Sequence, residues 1–241
     1  MKKITADEAK IIDKKAQSKF HIPGLLLMEN AGLEVYNRIK KIIANKRSKI
    51  VFFCGRGNNA GDAFVAIRHL INNGYTNIKV IIIKEDKDFS KEAKINYKIL
   101  TKLTNNIKLI RKKLNSKEIS REIKKCKIIV DALLGIGLKG KVCGNFKKAI
   151  DIINDSGKPV ISVDIPSGLN ATTGEIATSC IKANETLTFG LPKIGCYKNK
   201  GPKFCGKIRA FPIIFPRVLL KQGGGGDGKK TISEKTIYYQ A

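Results

Sequence analysis

The sequence predicts a doubly wound α/β protein: a mostly parallel sheet with helices on both faces and an N-terminal helical extension. Three observations predict it. Short, near-continuous apolar runs recur along the chain, as strands buried on both faces require. Amphipathic segments of helical length separate them. The first apolar run breaks into a Gly-rich turn, "CGRGNNAGD" at 54–62, and then into an apolar-periodic segment.

The elements follow in order. Thr5 and Glu8 form a Thr-x-x-Glu capping box, so a helix starts there. Pro23 interrupts it, and helical spacing resumes through Leu27, Ala31, Val35, Ile39 and Ile42. Strands are then predicted at 49–55, 78–84, 107–110, 127–135, 159–168, 185–190 and 207–214. Helices are predicted between them at 60–73, 90–103, 116–125 and 145–156. The domain runs over 1–222. The segment 223–241 opens with four glycines and has no amphipathic period, so it reads as a flexible, poorly ordered tail.

Composition bounds the function. A formal net charge of +27 favours anionic partners. Only eight of the 47 basic residues are Arg, and the lysines are spread along the whole chain. No clustered Arg and aromatic platform exists, so nucleic acid is not the expected partner. The six cysteines include no CxxC pair, and there are two histidines, so no structural zinc is expected. Scattered cysteines in a chain this long fit a reduced, cytoplasmic protein. No apolar leader follows Met1, and no run reaches the roughly 18 apolar residues of a membrane span.

Ligands of open α/β sheets bind outside the carboxyl ends of the strands. Three of those ends are polar: "GRGNNAGD" after 49–55, "DALLGIGLKGKV" from 131, and "DIPSGLNATTG" from 164. Together they make one polar basin. The glycines of the first loop permit close backbone approach, and the helix behind it favours phosphate. Its G-x-G-x-x-A pattern is a weak dinucleotide signal on its own. Glu85 and Asp86 sit where such a fold wants an acidic residue for a ribose, but no Tyr-x-x-x-Lys or catalytic His follows. Hydride transfer therefore gains no further support. Asn58 and Asn59 read either as turn formers or as amides facing a hard cation or a polar ring. Asp131 reads either as an aspartate satisfied by N–H groups at its strand end or as a cation ligand beside Asn59. Lys139 and Lys141 are placed to meet phosphate. Asp164 can act as general acid or base, and Ser167 adds one more oxygen. An oxygen-only set of Asn, Asp and Ser points to potassium, sodium or magnesium, and a single carboxylate favours a monovalent ion.

These segments also spell a pattern. "ITADEAK…D" (4–13, ending at Asp13), "IPGLLLMENAG", "CGRGNNAGD", "VDALLGIGLKGKV", "VDIPSGLNATTGEI" and "TLTFGLPKIG" resemble, in order, the motifs of the YjeF N-terminal domain family, over residues 4 to about 216. That family includes the NAD(P)HX epimerases. The resemblance implies a Rossmann-like fold and an isomerase of metabolite repair, which interconverts the R and S forms of hydrated NADH and NADPH. A separate S-specific dehydratase would then restore the cofactor. It implies that Asn58, Asn59, Ala60, Gly61 and Asp62 contact the nucleotide. Gly135, Ile136, Gly137, Leu138, Lys139, Gly140 and Lys141 would cradle its phosphates. Asn59, Asp131 and Ser167 would bind potassium. Asp164 would contact the hydrated ring and do the acid/base work, with Lys193 as a further candidate near the ring; the competing reading of Lys193 is a solvated strand-end lysine.

Ala60 and Ala63 stand where the family shows glycines in "NNGGDG". Were Ala60 to need a positive φ, the loop would have to shift. The resemblance also implies a homodimer, and either a stand-alone epimerase or part of an epimerase–dehydratase fusion. A non-catalytic nucleotide- or RNA-binding scaffold is the alternative; retention of Asp164 and of the Asn pair argues against it.

Overall fold

The computed structural model describes residues 2–83, 88–138 and 140–221. The readings placed on Glu85, Asp86, Lys139 and the Gly-rich tail lie outside the described residues.

Helix α1 (Ala6–Lys19) starts at the predicted capping box. The Glu8 N–H donates to Thr5 Oγ1 at 3.2 Å, and the Thr5 N–H donates to the Glu8 carboxylate at 2.7 Å. Helix α2 (Gly24–Ile42) follows Pro23. The chain then alternates: β1 (Ile50–Cys54), α3 (Asn58–Asn72), β2 (Ile78–Ile83), α4 (Lys91–Leu103), β3 (Ile107–Ile110), α5 (Ser116–Lys124), β4 (Ile128–Ala132), α6 (Gly144–Asp155), β5 (Val160–Val163) and β6 (Glu185–Phe189). A short 3-10 turn at 194–197, α7 (Gly201–Cys205), β7 (Lys207–Phe211) and α8 (Arg217–Lys221) complete it.

The seven strands stand in the order β3-β2-β1-β4-β5-β6-β7 and all pair parallel. The predicted "mostly parallel" sheet is thus parallel throughout. The order reverses between β1 and β4, which opens a crevice at their carboxyl ends. Strand alternation divides the core into two layers. Phe52 and Cys54 pack with α2, α3 and α4 on one face, and Val51 and Phe53 pack with α5 and α6 on the other.

The N-terminal pair is more than an extension. Val35 and Ile39 of α2 belong to the main core. Helix α1 buries Ala9, Ile12 and Ala16 against Leu27, Leu191, Phe215 and Leu219. Its start is pinned by a parallel bridge between Ile4 and Lys193: the Ile4 N–H donates to the Pro192 carbonyl at 2.9 Å, and the Ile194 N–H to the Ile4 carbonyl at 2.7 Å. This pairing lays α1 across the carboxyl edge of the sheet. Among the described residues, no helix is long and apolar enough to cross a membrane.

Candidate functional site

Helix α3 starts at Asn58, two residues before the predicted start. Gly57 is its N-cap and gives no side-chain cap bond, so the first helical amides keep their donors for a ligand. Asn58 and Asn59 are therefore the first helical turn rather than a preceding loop. Gly55 makes this geometry accessible: a Cβ there would fall 2.0 Å from the Leu133 carbonyl oxygen, so only glycine lets the β1 and β4 exits touch.

A cavity of about 790 Å³ occupies the crevice, within the range of small-molecule sites. Asn58, Asn59 and Asp62 of α3 line one wall. Gly135, Ile136, Gly137 and Leu138 line a second. Asp164, Phe189 and Lys193 come from the strand ends, and Ile12, Asp13 and Gln17 of α1 close the opening. Three sequence-predicted segments are thus brought together, along with one helix that sequence reasoning had left outside the site.

Ala60 and Gly61 sit apart from the cavity lining. Both are buried, and their N–H groups already donate to the Gly57 carbonyl at 3.1 and 3.2 Å. A Cβ on Gly61 would meet the Met28 thioether at 2.5 Å, so this glycine serves the packing of α2 on α3. Ala60 lies inside the helix and is absent from the positive-φ residues, so the loop shift considered above is not needed. Ala63 is likewise a buried helical position of the core. At the far end of the Gly-rich loop, Gly140 and Lys141 are exposed and do not line the cavity.

Asp164 is held in a strained, directed position. Its φ is 63°, a left-handed conformation that Asp tolerates better than most residues. Its N–H donates to the Leu187 carbonyl at 2.6 Å. Its Oδ1 accepts from the Thr188 hydroxyl at 3.1 Å, from the Phe189 N–H at 3.3 Å and from the Lys193 ammonium. Lys193 is 3% exposed, not a solvated strand-end lysine. Its remaining donors reach Thr188 Oγ1 at 3.1 Å and the Phe189 carbonyl at 2.9 Å.

Two more carboxyls complete the cluster. Burial, reinforced by the Asp164 and Asp13 charges, holds the Asp62 carboxyl well above the usual carboxylate range; Lys193 opposes it. Burial and the Asp164 charge push Asp13 up to about 6, again against Lys193. Asp13 closes the first of the six family-like segments, yet sequence reasoning gave it no role in the site. Its spacing did carry the signal: it is four residues after Ala9 and three before Ala16, on the stripe that α1 buries.

Asp131 is fully buried, opposite Phe53 of β1 and Ser162 of β5. Its Oδ1 accepts from the Ser167 hydroxyl at 2.5 Å and the Leu133 N–H at 3.3 Å. Its Oδ2 accepts from the Ser162 hydroxyl at 2.8 Å and the Ser167 N–H at 2.9 Å. Burial raises this carboxyl above the usual carboxylate range, and these bonds offset only part of the rise. Asn59 joins the same network by donating from Nδ2 to the Leu134 carbonyl at 3.2 Å, while its Oδ1 is buried with no partner. Ser167 Oγ accepts from the Leu134 N–H at 2.8 Å. An orphan amide oxygen, a hydroxyl and a carboxylate that no Lys or Arg among the described residues pairs with are a donor set that fits a hard monovalent cation.

Fold and site together define a doubly wound α/β protein with a ligand cavity at the switch point of a parallel sheet. Residues 24–195 match the family described as "YjeF-related protein N-terminus", and the chain belongs to that family. The NAD(P)H-hydrate epimerase of Elusimicrobium minutum is 33% identical over 224 residues, covering 92% of this chain and 100% of that relative. The NAD(P)H-hydrate epimerase of Rhodopirellula baltica is 31% identical, covering 91% of this chain and 87% of the relative. The bifunctional NAD(P)H-hydrate repair enzyme Nnr of Moorella thermoacetica is 35% identical over 90% of this chain, which spans only 41% of that relative's length. The crystal structure of the yeast protein YNL200c shares the fold, with a TM-score of 0.77 over 96% of this chain and 97% of the other, at 21% identity.

Proposed function

We propose that this protein is an NAD(P)H-hydrate epimerase, acting on the R and S forms of hydrated NADH and NADPH. One observation carries the reading: the N-terminus of α3 and the strained Asp164 open into the same cavity. The first satisfies an anionic group and the second can work on a ring held beside it. The names of the relatives that match nearly end to end support it.

In this reading the free amides at Asn58 and Asn59 bind the pyrophosphate, with the 135–138 wall against its other side. Lys193 and Thr188 donate to the Asp164 carboxylate and fix it at the ring. Helix α1 excludes bulk water. Asn59, Asp131 and Ser167 would hold potassium, which supplies a fixed positive charge beside the phosphates. The six cysteines are free thiols, which supports a reducing cytoplasmic setting. The bifunctional relatives support coupling to a dehydratase, and a homodimer remains part of the proposal, to be read by sedimentation.

The test supplies R-form hydrated NADPH and follows its conversion to S, with potassium or with an equal ionic strength of a larger cation. Conversion above the spontaneous rate, faster with potassium, is expected. No acceleration over the spontaneous rate rejects the activity.

A further inference from the structure

An epimerase must let a group leave one face of a carbon and return on the other. Hydration of an enamine-like ring bond puts the hydroxyl on the carbon bonded to nitrogen, because the nitrogen lone pair stabilises positive charge there. Inversion at that carbon therefore needs a proton donor on one face and a proton acceptor on the other. A lone Asp164 serves one face only.

The geometry points to Asp13 as the second acid/base group, acting from α1 on the ring face opposite Asp164; this rests on the epimerase reading. Asp13 and Asp164 line the same cavity from different walls, one on the helix laid across the sheet edge and the other at the end of β5. Oδ1 of Asp164 accepts from Thr188, Phe189 and Lys193, and no hydrogen bond joins Asp164 to Asp13 among the described residues. The groups that face Asp13 are Asp164, Lys193 and Asp62. Burial and the Asp164 charge help Asp13 keep a proton up to about pH 6, whereas the Lys193 ammonium donates directly to the Asp164 carboxylate. One is suited to donate and the other to accept.

The step balances. Asp13 gives its proton to the ring hydroxyl, and the C–O bond breaks with its electron pair on oxygen. Water leaves, and the nitrogen lone pair closes a C=N bond. A second water adds to the Asp164 face, its oxygen pair forming the new C–O bond and its proton passing to the Asp164 carboxylate. Reverse turnover, or exchange with solvent, resets both groups.

The experiment is run in ¹⁸O-water, with the R and S hydrates separated before mass analysis and spontaneous exchange subtracted. Wild type is expected to label both epimers. Asp13→Asn is expected to lose epimerisation by roughly 100-fold or more while still labelling one epimer from the Asp164 face. Asp164→Asn is expected to label the other epimer only. Thermal unfolding verifies that each variant is folded, and Asp13→Ser carries the same expectation where the Asn variant is not. Asp13→Asn turning over within about threefold of wild type overturns the assignment. So does equal loss of label from both epimers, or the single-epimer pattern appearing in Asp62→Asn instead. A wild-type protein that neither epimerises nor exchanges label removes the epimerase reading itself, a result distinct from all of these.

Discussion

Replacing Asp13 with Asn should make the protein more stable, and by an amount that depends on pH. The Asp13 carboxyl is raised from an ordinary 3.8 to about 6, with burial as the largest cause. The folded state thus holds this proton more tightly than the unfolded chain does. That advantage is complete below about pH 4 and is lost as pH rises through about 6, where folding must bury a charge that unfolding returns to water. The difference of roughly two pH units, at about 1.36 kcal/mol each, comes to about 3 kcal/mol at pH 8. Near pH 4 the same linkage leaves about 0.5 kcal/mol. Asparagine has nearly the same shape and no charge, so Asp13→Asn removes this penalty.

For a domain of this length, 1 kcal/mol moves the midpoint by about 2–4 °C. The variant should therefore melt about 6–12 °C above wild type at pH 8, and within about 2 °C of it at pH 4. Asp62, Asp164 and Lys193 are the same in both proteins, so to first order the difference isolates the Asp13 carboxyl. Calorimetry across pH 4–8 reads it directly. A difference that stays flat with pH would show that Asp13 ionises as a solvated carboxylate. A difference that reverses sign at high pH would show that Lys193, not burial, sets its charge state. Coupled with the loss of turnover expected for the same variant, the gain would mark Asp13 as a residue kept at a cost in stability.

The remaining predictions concern the two walls and the loop. Asp164→Asn should keep the fold and lower epimerisation by about 10²–10⁴-fold, the usual worth of a positioned acid or base; wild-type turnover would remove its role. Asp131→Ala should abolish the rise in melting temperature that potassium produces over a larger cation at equal ionic strength, and an unchanged response would move the ion elsewhere. Ala60→Gly should lower stability by about 1 kcal/mol, the helix-interior cost of glycine, and leave turnover unchanged, because Ala60 points into the core; a gain in substrate affinity would show that its methyl does obstruct the site.

What the sequence disclosed and what it hid follow from how local each signal is. The parallel sheet was legible because strands buried on both faces must be apolar at nearly every position, as "IVFFC" and "VIII" are. Asp131 stood out for the same reason, as a carboxylate in a run that had to be buried. The start of α3 was misplaced because an Asn pair has the chemistry of a turn, whereas the chain caps the helix at Gly57 and takes both asparagines into its first turn. The 3-10 turn, α7 and α8 were missed because elements of four or five residues leave no periodicity to count.

The roof of the site was hidden for a deeper reason. The capping box announces α1, but nothing near it says where α1 lies. That is fixed by Ile4 pairing with Lys193, at the other end of the chain. The same pairing accounts for two readings at once. It carries Asp13 over the cavity, and it holds in place the segment from which Lys193 reaches Asp164. A lysine whose sequence reading stayed open between ring and strand end and an aspartate given no role in the site are thus parts of one buried cluster, assembled by a bridge that neither residue's own neighbourhood predicts. Local chemistry in a sequence identifies which groups can react; long-range pairing decides which of them meet.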